Sequence, residues 1–575
     1  MAYPIYSAKA EIITLLDHAL TKLNYKCEIN LERPSENLGD FAFPCFSLAP
    51  IAKKSPNDIS KEISEKIGKT NWIEKIESKG GYVNFFLNLE KMNNEILNSI
   101  FEKKEKYGHL SKKKEKVLVE HTSANPNGPL HVGRARNPII GDTIVRIFKA
   151  AGYNVESQFY LDDMGKQVAI LAWGVKNLES EDIPKSEYDK PDHKTVGFYQ
   201  VASKLMEEDY KVSKQIGDLV QKLEEGDQNT IKLIHEAYRP VLEGIKQSLK
   251  RINILIDKYV PESNFVRDKS VIFVVEKLKK SKFCGTEDGA YYLDLKSFGI
   301  KGRNTKFIFL RKDGTTLYAT RDIAYHLWKV KNADILINIL GEDHKLESKQ
   351  VEIALGLMGV KTIPKPIFYA FVSLPGGKMS TRRGRVVYID DLIDECVNRA
   401  YEEVKKRRGH ELLEEKMKKI AEIVGIGALR YNIIKVQPEK EIVFKWEEAL
   451  NFEGNAAPFI QYSHARACSI LSKKKDEIKE FDSSQLIHNS ETRLIKQLGD
   501  FPLIIEDSCN GNKPHIITSY LFEVASQFNQ FYRDCPVLHE KEKKLRIARL
   551  ALVDATRITI SNCLDLLGIV APKEM

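Results

Sequence analysis

Residues 117–150 restrict the fold more than any other stretch of this chain. Val117, Leu118, Val119 and Glu120 form a short apolar run of buried-strand type. A turn rich in Pro, Gly and Asn follows through Arg136, and a helical pattern then runs from about Pro138 to Ala150. The next strand pattern is 157–163, and further strand-like runs stand at 290–295, 306–310, 335–340 and 368–374. Helical patterns separate several of these runs. The alternation predicts an α/β fold, a Rossmann-like doubly wound parallel sheet. Residues 176–285 are rich in acids and lysine with helical periodicity, which reads as a helical insertion into that sheet domain.

The flanks have a different texture. Ile12, Ile13, Leu15, Leu16, Ala19, Leu20 and Leu23 recur at helical spacing, a second helical stretch covers about 57–67, and 80–88 reads as strand. Residues 1–106 are therefore expected to form an N-terminal α+β module. The run 103–116, nearly all charge and turn residues, marks its boundary with a sheet domain at 115–395. After about Tyr388 no strand alternation remains, so 396–575 is expected to be a C-terminal all-α domain. A chain of 575 residues suggests roughly four structural units, which these divisions supply.

Composition excludes several classes. With 42% hydrophobic and 29% charged residues and no apolar run of about 20, no membrane span is expected. The first residues carry Glu11 and Asp17 and lack a basic leader, so a secretory signal is not expected. Eight cysteines lie far apart without a C-x-x-C pair, which fits reduced thiols in the cytoplasm and no zinc site. The net charge of +9 permits a polyanionic partner. Residues 67–70 imitate the end of a phosphate-binding P-loop, but Ile63 stands where its first glycine belongs, and a helix end is the better reading.

Two segments carry phosphate chemistry. In the turn after Glu120, Gly133 allows close backbone approach where a helix begins, and a helix N-terminus attracts phosphate. His131 can hydrogen-bond phosphate oxygens there, and Arg134 and Arg136 add permanent positive charge. Just after the last strand-like run, Lys378, Arg382, Arg383 and Arg385 lie between glycines and can close over a triphosphate.

These residues carry a resemblance. His131-Val132-Gly133-Arg134 and Lys378-Met379-Ser380-Thr381-Arg382 resemble the two signatures of class I aminoacyl-tRNA synthetases, and the wider pattern resembles the arginyl-tRNA synthetase family. Asp162 through Gln167, Tyr318 through Asp322, Gly341 through His344, Gly39 through Ala42 and Ala428 through Tyr431 match it as well. The likeness covers essentially the whole chain.

The resemblance implies an ATP-dependent ligase that joins L-arginine to ATP, releases pyrophosphate, and passes arginine to the terminal ribose of tRNA(Arg). It implies His131, Gly133, Arg134, Lys378 and Arg382 as catalytic residues, and Asn125, His131, Gly133, Gly341, Asp343, Lys378, Met379 and Ser380 as the ATP site. Arginine would meet Glu120, Ser123, Ala124, Asn125, Tyr318, Asp322 and His344, since a guanidinium fork requires anions. Transfer RNA would meet Asp40, Phe41, Phe459, Tyr462, Arg466 and Met575; Phe459, Tyr462 and Arg466 share one helix face, suited to stacking a base and gripping a phosphate. Mg2+ accompanies ATP, no structural metal is indicated, arginine activation can require bound tRNA, and a monomer in the cytoplasm is expected.

The chain departs from the family at four places. Arg134 replaces the second signature histidine, Thr381 replaces the usual loop lysine, and Gly128 stands where members lacking that lysine often carry another. Arg134, Lys378 and Arg382 are expected to supply the missing charge. His344 stands where many members have glutamine. Two other readings are a tRNA-binding paralogue without catalysis, motivated by the missing lysines, and a synthetase for another amino acid such as cysteine. The absence of clustered Cys/His ligands and the presence of Asp322 argue against the latter.

Overall fold

The structure is a computed structural model, and it describes residues 3–34, 38–68, 70–301, 305–373, 387–478 and 480–575. Its centre is a five-stranded parallel sheet in the order Lys365–Tyr369, Ile335–Gly341, Lys116–Glu120, Asn154–Leu161, Lys258–Pro261. The strand Lys116–Glu120 is buried along almost its whole length, as expected of a strand covered by helices on both faces. Chain order reverses between Lys116–Glu120 and Ile335–Gly341, where Glu120 lies opposite Asn338. A crevice at the carboxyl ends of the strands forms at such a switch point.

The expected doubly wound sheet is present, with two corrections. The runs near 290–295 and 306–310 do not join it; Cys284–Glu287, Ala290–Asp294 and Lys306–Leu310 form a separate antiparallel sheet. The fifth parallel strand is instead Lys258–Pro261, inside the stretch assigned to the insertion. Its four residues are flanked by helices, too short a run for a periodic signal. The inserted helices are Pro191–Glu208, Tyr210–Glu224 and Gln228–Arg251, the last capped by the Asp227 side chain.

The N-terminal module packs the helices Pro4–Lys22, Pro56–Lys66 and Leu89–Lys103 on an antiparallel three-stranded sheet. Ile12, Leu16, Ala19 and Leu20 face its core. The C-terminal part is helical except for Ile442–Val443, which pairs in parallel with Val372–Ser373. Arg430, fully buried on the helix Glu414–Ile434, joins the domains. It donates to Asp142 at 2.5 Å and to the carbonyl oxygens of Leu567 and Ile252 at 2.6 and 2.7 Å. With a charge and two helix ends satisfied in one place, its removal would orphan three acceptors.

Candidate active site

The turn at 121–135 opens from the carboxyl end of the central strand. Thr122 has φ +72°, a left-handed conformation costly for a β-branched residue, and Asn137 holds it by accepting the Thr122 amide at 2.7 Å. Asn137 also donates to the Ile339 carbonyl at 3.1 Å, which fastens the turn to the neighbouring strand. Ser123 Oγ donates to Glu120 Oε1 at 2.9 Å and accepts the Tyr160 amide at 3.1 Å. Asn125 and Asn127 both donate to Gln167 Oε1, at 2.6 and 3.0 Å, and Ala124 lies half-buried between these polar residues.

His131 caps a single helical turn, Val132–Arg134, its Nδ1 accepting the Gly133 amide at 3.0 Å. With Nδ1 an acceptor, the neutral ring carries its proton on Nε2, a donor for a phosphate oxygen. Burial, and then the Arg134 charge, hold this imidazole below its ordinary pKa. Gly133 is buried and Arg134 exposed. Arg136 does not join them: its guanidinium is fully buried and donates to the carbonyls of Ala370, Lys440 and Gln437 at 2.8, 2.7 and 3.0 Å. Its charge serves loop carbonyls rather than a phosphate, and burial lowers its pKa to about 10.

Gly341 ends the neighbouring strand, followed by the turn Glu342–His344. A Cβ on Gly341 would stand 2.3 Å from Asp343 Oδ1, so the glycine leaves room for that exposed carboxylate. His344 Nδ1 lies 3.0 Å from Glu347, and that bond raises the imidazole above its usual pKa, with burial opposing and Asp343 adding to the rise.

Beside this turn lies a pocket lined by Glu120, Tyr318, Asp322, His326, Asn338, His344 and Glu347. Tyr318 and Asp322 sit one turn apart at the start of the helix Tyr318–Asn332. Burial, and then Asp322 and Glu120, push the Tyr318 phenol up, so it stays a donor. Burial alone would raise the Asp322 carboxyl, but His326, Lys329 and His344 outweigh it and hold it below its usual value. Glu120 also lines the pocket, yet Lys329 and Ser123 already engage its two oxygens. His326, Lys329 and Asn338 escaped the sequence reading. A signal existed for the first two, since Asp322, His326 and Lys329 fall at i, i+4 and i+7 on one helix face.

Lys378, Met379, Ser380, Thr381, Arg382, Arg383 and Arg385 lie outside the described residues. Among the described residues, the one close grouping of His and carboxylates with ligand spacing is Asp192, His193 and Asp390, none of which lines this pocket. Lys190 Nζ lies 3.0 and 2.7 Å from its two carboxylates, so a lysine already pairs with both.

The C-terminal domain holds a cleft of about 700 Å3 lined by Phe459, Tyr462, Arg466, Tyr532, Arg407 and Met575, among others. Arg466 lies 4.7 Å from the Tyr462 ring centre and 5.4 Å from that of Tyr532, and both rings are 42% exposed. Arg408 donates to the Met575 carbonyl, which pins the chain end at the cleft. Asp40 and Phe41 are placed differently from expectation. They are 8% and 3% exposed: Asp40 accepts the Leu87 amide at 2.8 Å and pairs with Lys496 at 2.5 Å, and Phe41 packs in the module's core. The match fell on a stretch that docks the module on the helix Asn489–Gly499, where side chains turn inward.

Comparison with known proteins identifies the domains of the chain. The class I tRNA synthetase (R) catalytic domain model matches residues 96–446. This chain belongs to the arginine–tRNA ligase family. The DALR anticodon binding domain and the arginyl tRNA synthetase N-terminal domain match 460–575 and 10–87. An arginine–tRNA ligase of Methanocella arvoryzae is 48% identical over 530 residues, 92% of each chain. One from Methanosarcina mazei is 42% identical over 99% of each. The solved Thermus thermophilus arginyl-tRNA synthetase superposes with a TM-score of 0.84 at 28% identity, covering 98% of this chain and all of that one. No helix among the described residues is long and apolar enough to cross a membrane. The chain joins a synthetase catalytic domain to an anticodon-binding domain.

Proposed function

We propose that this chain charges tRNA(Arg) with L-arginine at the expense of ATP. The observation that carries the reading is the juxtaposition, at one switch point, of the His131 turn with a pocket whose Asp322 is held ionised beside the Tyr318 hydroxyl. A planar cation fits that carboxylate–phenol wall. Asn125 and the Ser123–Ala124 backbone face the amino-acid end of the substrate, and His344 its amino group.

The substrate carboxylate is already a nucleophile. One of its oxygens attacks the α-phosphorus of ATP, the bond to the bridging oxygen breaks, and pyrophosphate leaves. In-line placement and neutralisation of phosphate charge suffice for this step. Asn125, Gly133, Gly341 and Asp343 seat the nucleotide; His131 Nε2–H and Arg134 stabilise the transferring group; Lys378, Met379, Ser380 and Arg382 close on the pyrophosphate. A terminal ribose hydroxyl of the tRNA then attacks the adenylate carbonyl carbon and AMP leaves. Mg2+ bound with ATP would neutralise phosphate charge, and Asp343 is the nucleotide-site carboxylate that would hold it. Tyr462, Arg466, Phe459 and the pinned Met575 receive unpaired anticodon bases. The enzyme works as a monomer in the cytoplasm.

The test is arginine-dependent exchange of pyrophosphate into ATP, with and without tRNA(Arg), alongside charging of that tRNA. Exchange with arginine supports the reading; tight tRNA binding without exchange or charging overturns it. Asp322→Ala should raise the arginine KM by about a hundredfold, the scale of a lost charged hydrogen bond.

A further inference from the structure

His326 stands between pure acceptors on one side and pure donors on the other, and this decides its tautomer. Nδ1 lies 3.1 Å from Asp322 Oδ1 and 2.9 Å from the Asp322 carbonyl oxygen, so Nδ1 carries the proton. Nε2 faces Asn338 Nδ2 at 2.8 Å and Lys329 Nζ at 3.5 Å, so Nε2 accepts. The Asn338 amide is oriented in turn, because its Oδ1 takes a bond from Lys329 at 3.1 Å. Lys329 is wholly buried, donates to Glu120, and lies 4.0 Å from the centre of the Tyr325 ring.

We infer that Lys329 is a positioning and specificity-determining residue for arginine, acting through Asn338 and His326. The inference rests on the proposed function. Lys329 lines no part of the pocket, so its influence reaches the substrate only through its neighbours. On one side its ammonium neutralises Glu120, whose other oxygen is engaged by Ser123. On the other it fixes the Asn338 amide, which fixes the His326 ring, whose N–H holds Asp322. Lys329 therefore orients both Glu120, directly, and Asp322, through His326, two carboxylates that line the pocket.

The test combines kinetics with 15N spectra of the histidine-labelled full-length enzyme, His326 assigned by loss of its signals in His326→Gln. In the wild type, free of substrate, His326 should show N–H at Nδ1 and a bare Nε2. Asn338→Asp replaces the donor facing Nε2 with an acceptor of the same shape, so the ring should gain a second proton. Lys329→Met and Asn338→Asp should each raise the arginine KM about tenfold or more while the ATP KM stays within about twofold. A wild-type proton on Nε2, or an arginine KM unchanged in both variants, overturns the inference. Should Lys329→Met not fold, Asn338→Asp decides alone. Absence of arginine-dependent exchange in the wild type would overturn the proposed function instead, and the ring tautomer, read without substrate, would still decide the relay.

Discussion

The amide of Val132 donates to the carbonyl of Val387 at 3.1 Å, which bonds the histidine turn to a residue two positions after Arg385. Ile389 returns a bond to the Leu130 carbonyl at 2.8 Å, so the turn is clasped from both sides. The His131 turn is thus held by backbone bonds to Val387 and Ile389.

Ile389→Pro tests this clasp. Position 389 is the first residue of the helix Ile389–Arg408, and Tyr388 has ψ 166°, so proline is sterically admissible there. The Ile389 amide is lost while the helix survives. Adenylate formation should slow about tenfold with an unchanged far-UV circular dichroism spectrum, at a stability cost of roughly 1–3 kcal/mol from the buried side chain.

Arg134→Ala should slow arginine-dependent pyrophosphate exchange by at least about tenfold, the scale of one charge at a transferring phosphate. The same change should raise the His131 pKa, because the Arg134 charge, after burial, holds it down. Histidine titration followed by NMR measures that rise directly.

Restoring the missing lysine at position 128 should fail. A Cβ on Gly128 would stand 2.6 Å from Val196 Cγ2, so the first inserted helix occupies the space. Gly128→Lys should lower the Tm without increasing exchange, and pairing it with Val196→Ala should recover part of the Tm.

His121, 1% exposed, is held by burial at a pKa of about 4 against 6.5 in the unfolded chain. Between these values the unfolded state takes up a proton that the folded state refuses. Stability is therefore fully present above pH 6.5 and falls as pH drops towards 4, by roughly 3 kcal/mol from this group. Urea unfolding of His121→Gln should show a shallower loss over that window than the wild type.

Tyr462→Ala should weaken tRNA in charging by about tenfold, the scale of one base stacked on an aromatic ring. ATP and arginine KM values measured with saturating tRNA should not move, because the cleft lies on another domain.

Local pattern carried much of this protein. The strand, turn and helix at 117–150, the amphipathic helices of both flanks and the residues of the His131 turn are properties of neighbours in sequence, and the structure reproduces them. The resemblance to the family was carried by short strings of the same kind. Tyr318 and Asp322 were legible because one helical turn brings them together.

Tertiary structure alone decided the rest. Lys329 meets Glu120 across 209 positions because parallel register sets Asn338 beside Glu120, and no local period encodes register between distant strands. Arg136 and Asp40 look like surface charges in sequence and are buried because partners from positions far along the chain, Gln437 and Lys496, meet them there. The strand Lys258–Pro261 exists because the edge of Asn154–Leu161 is open to receive it. Sequence determines which residues can be helix, strand or turn through local sterics and periodicity; burial and pairing of polar groups depend on what the whole chain brings near.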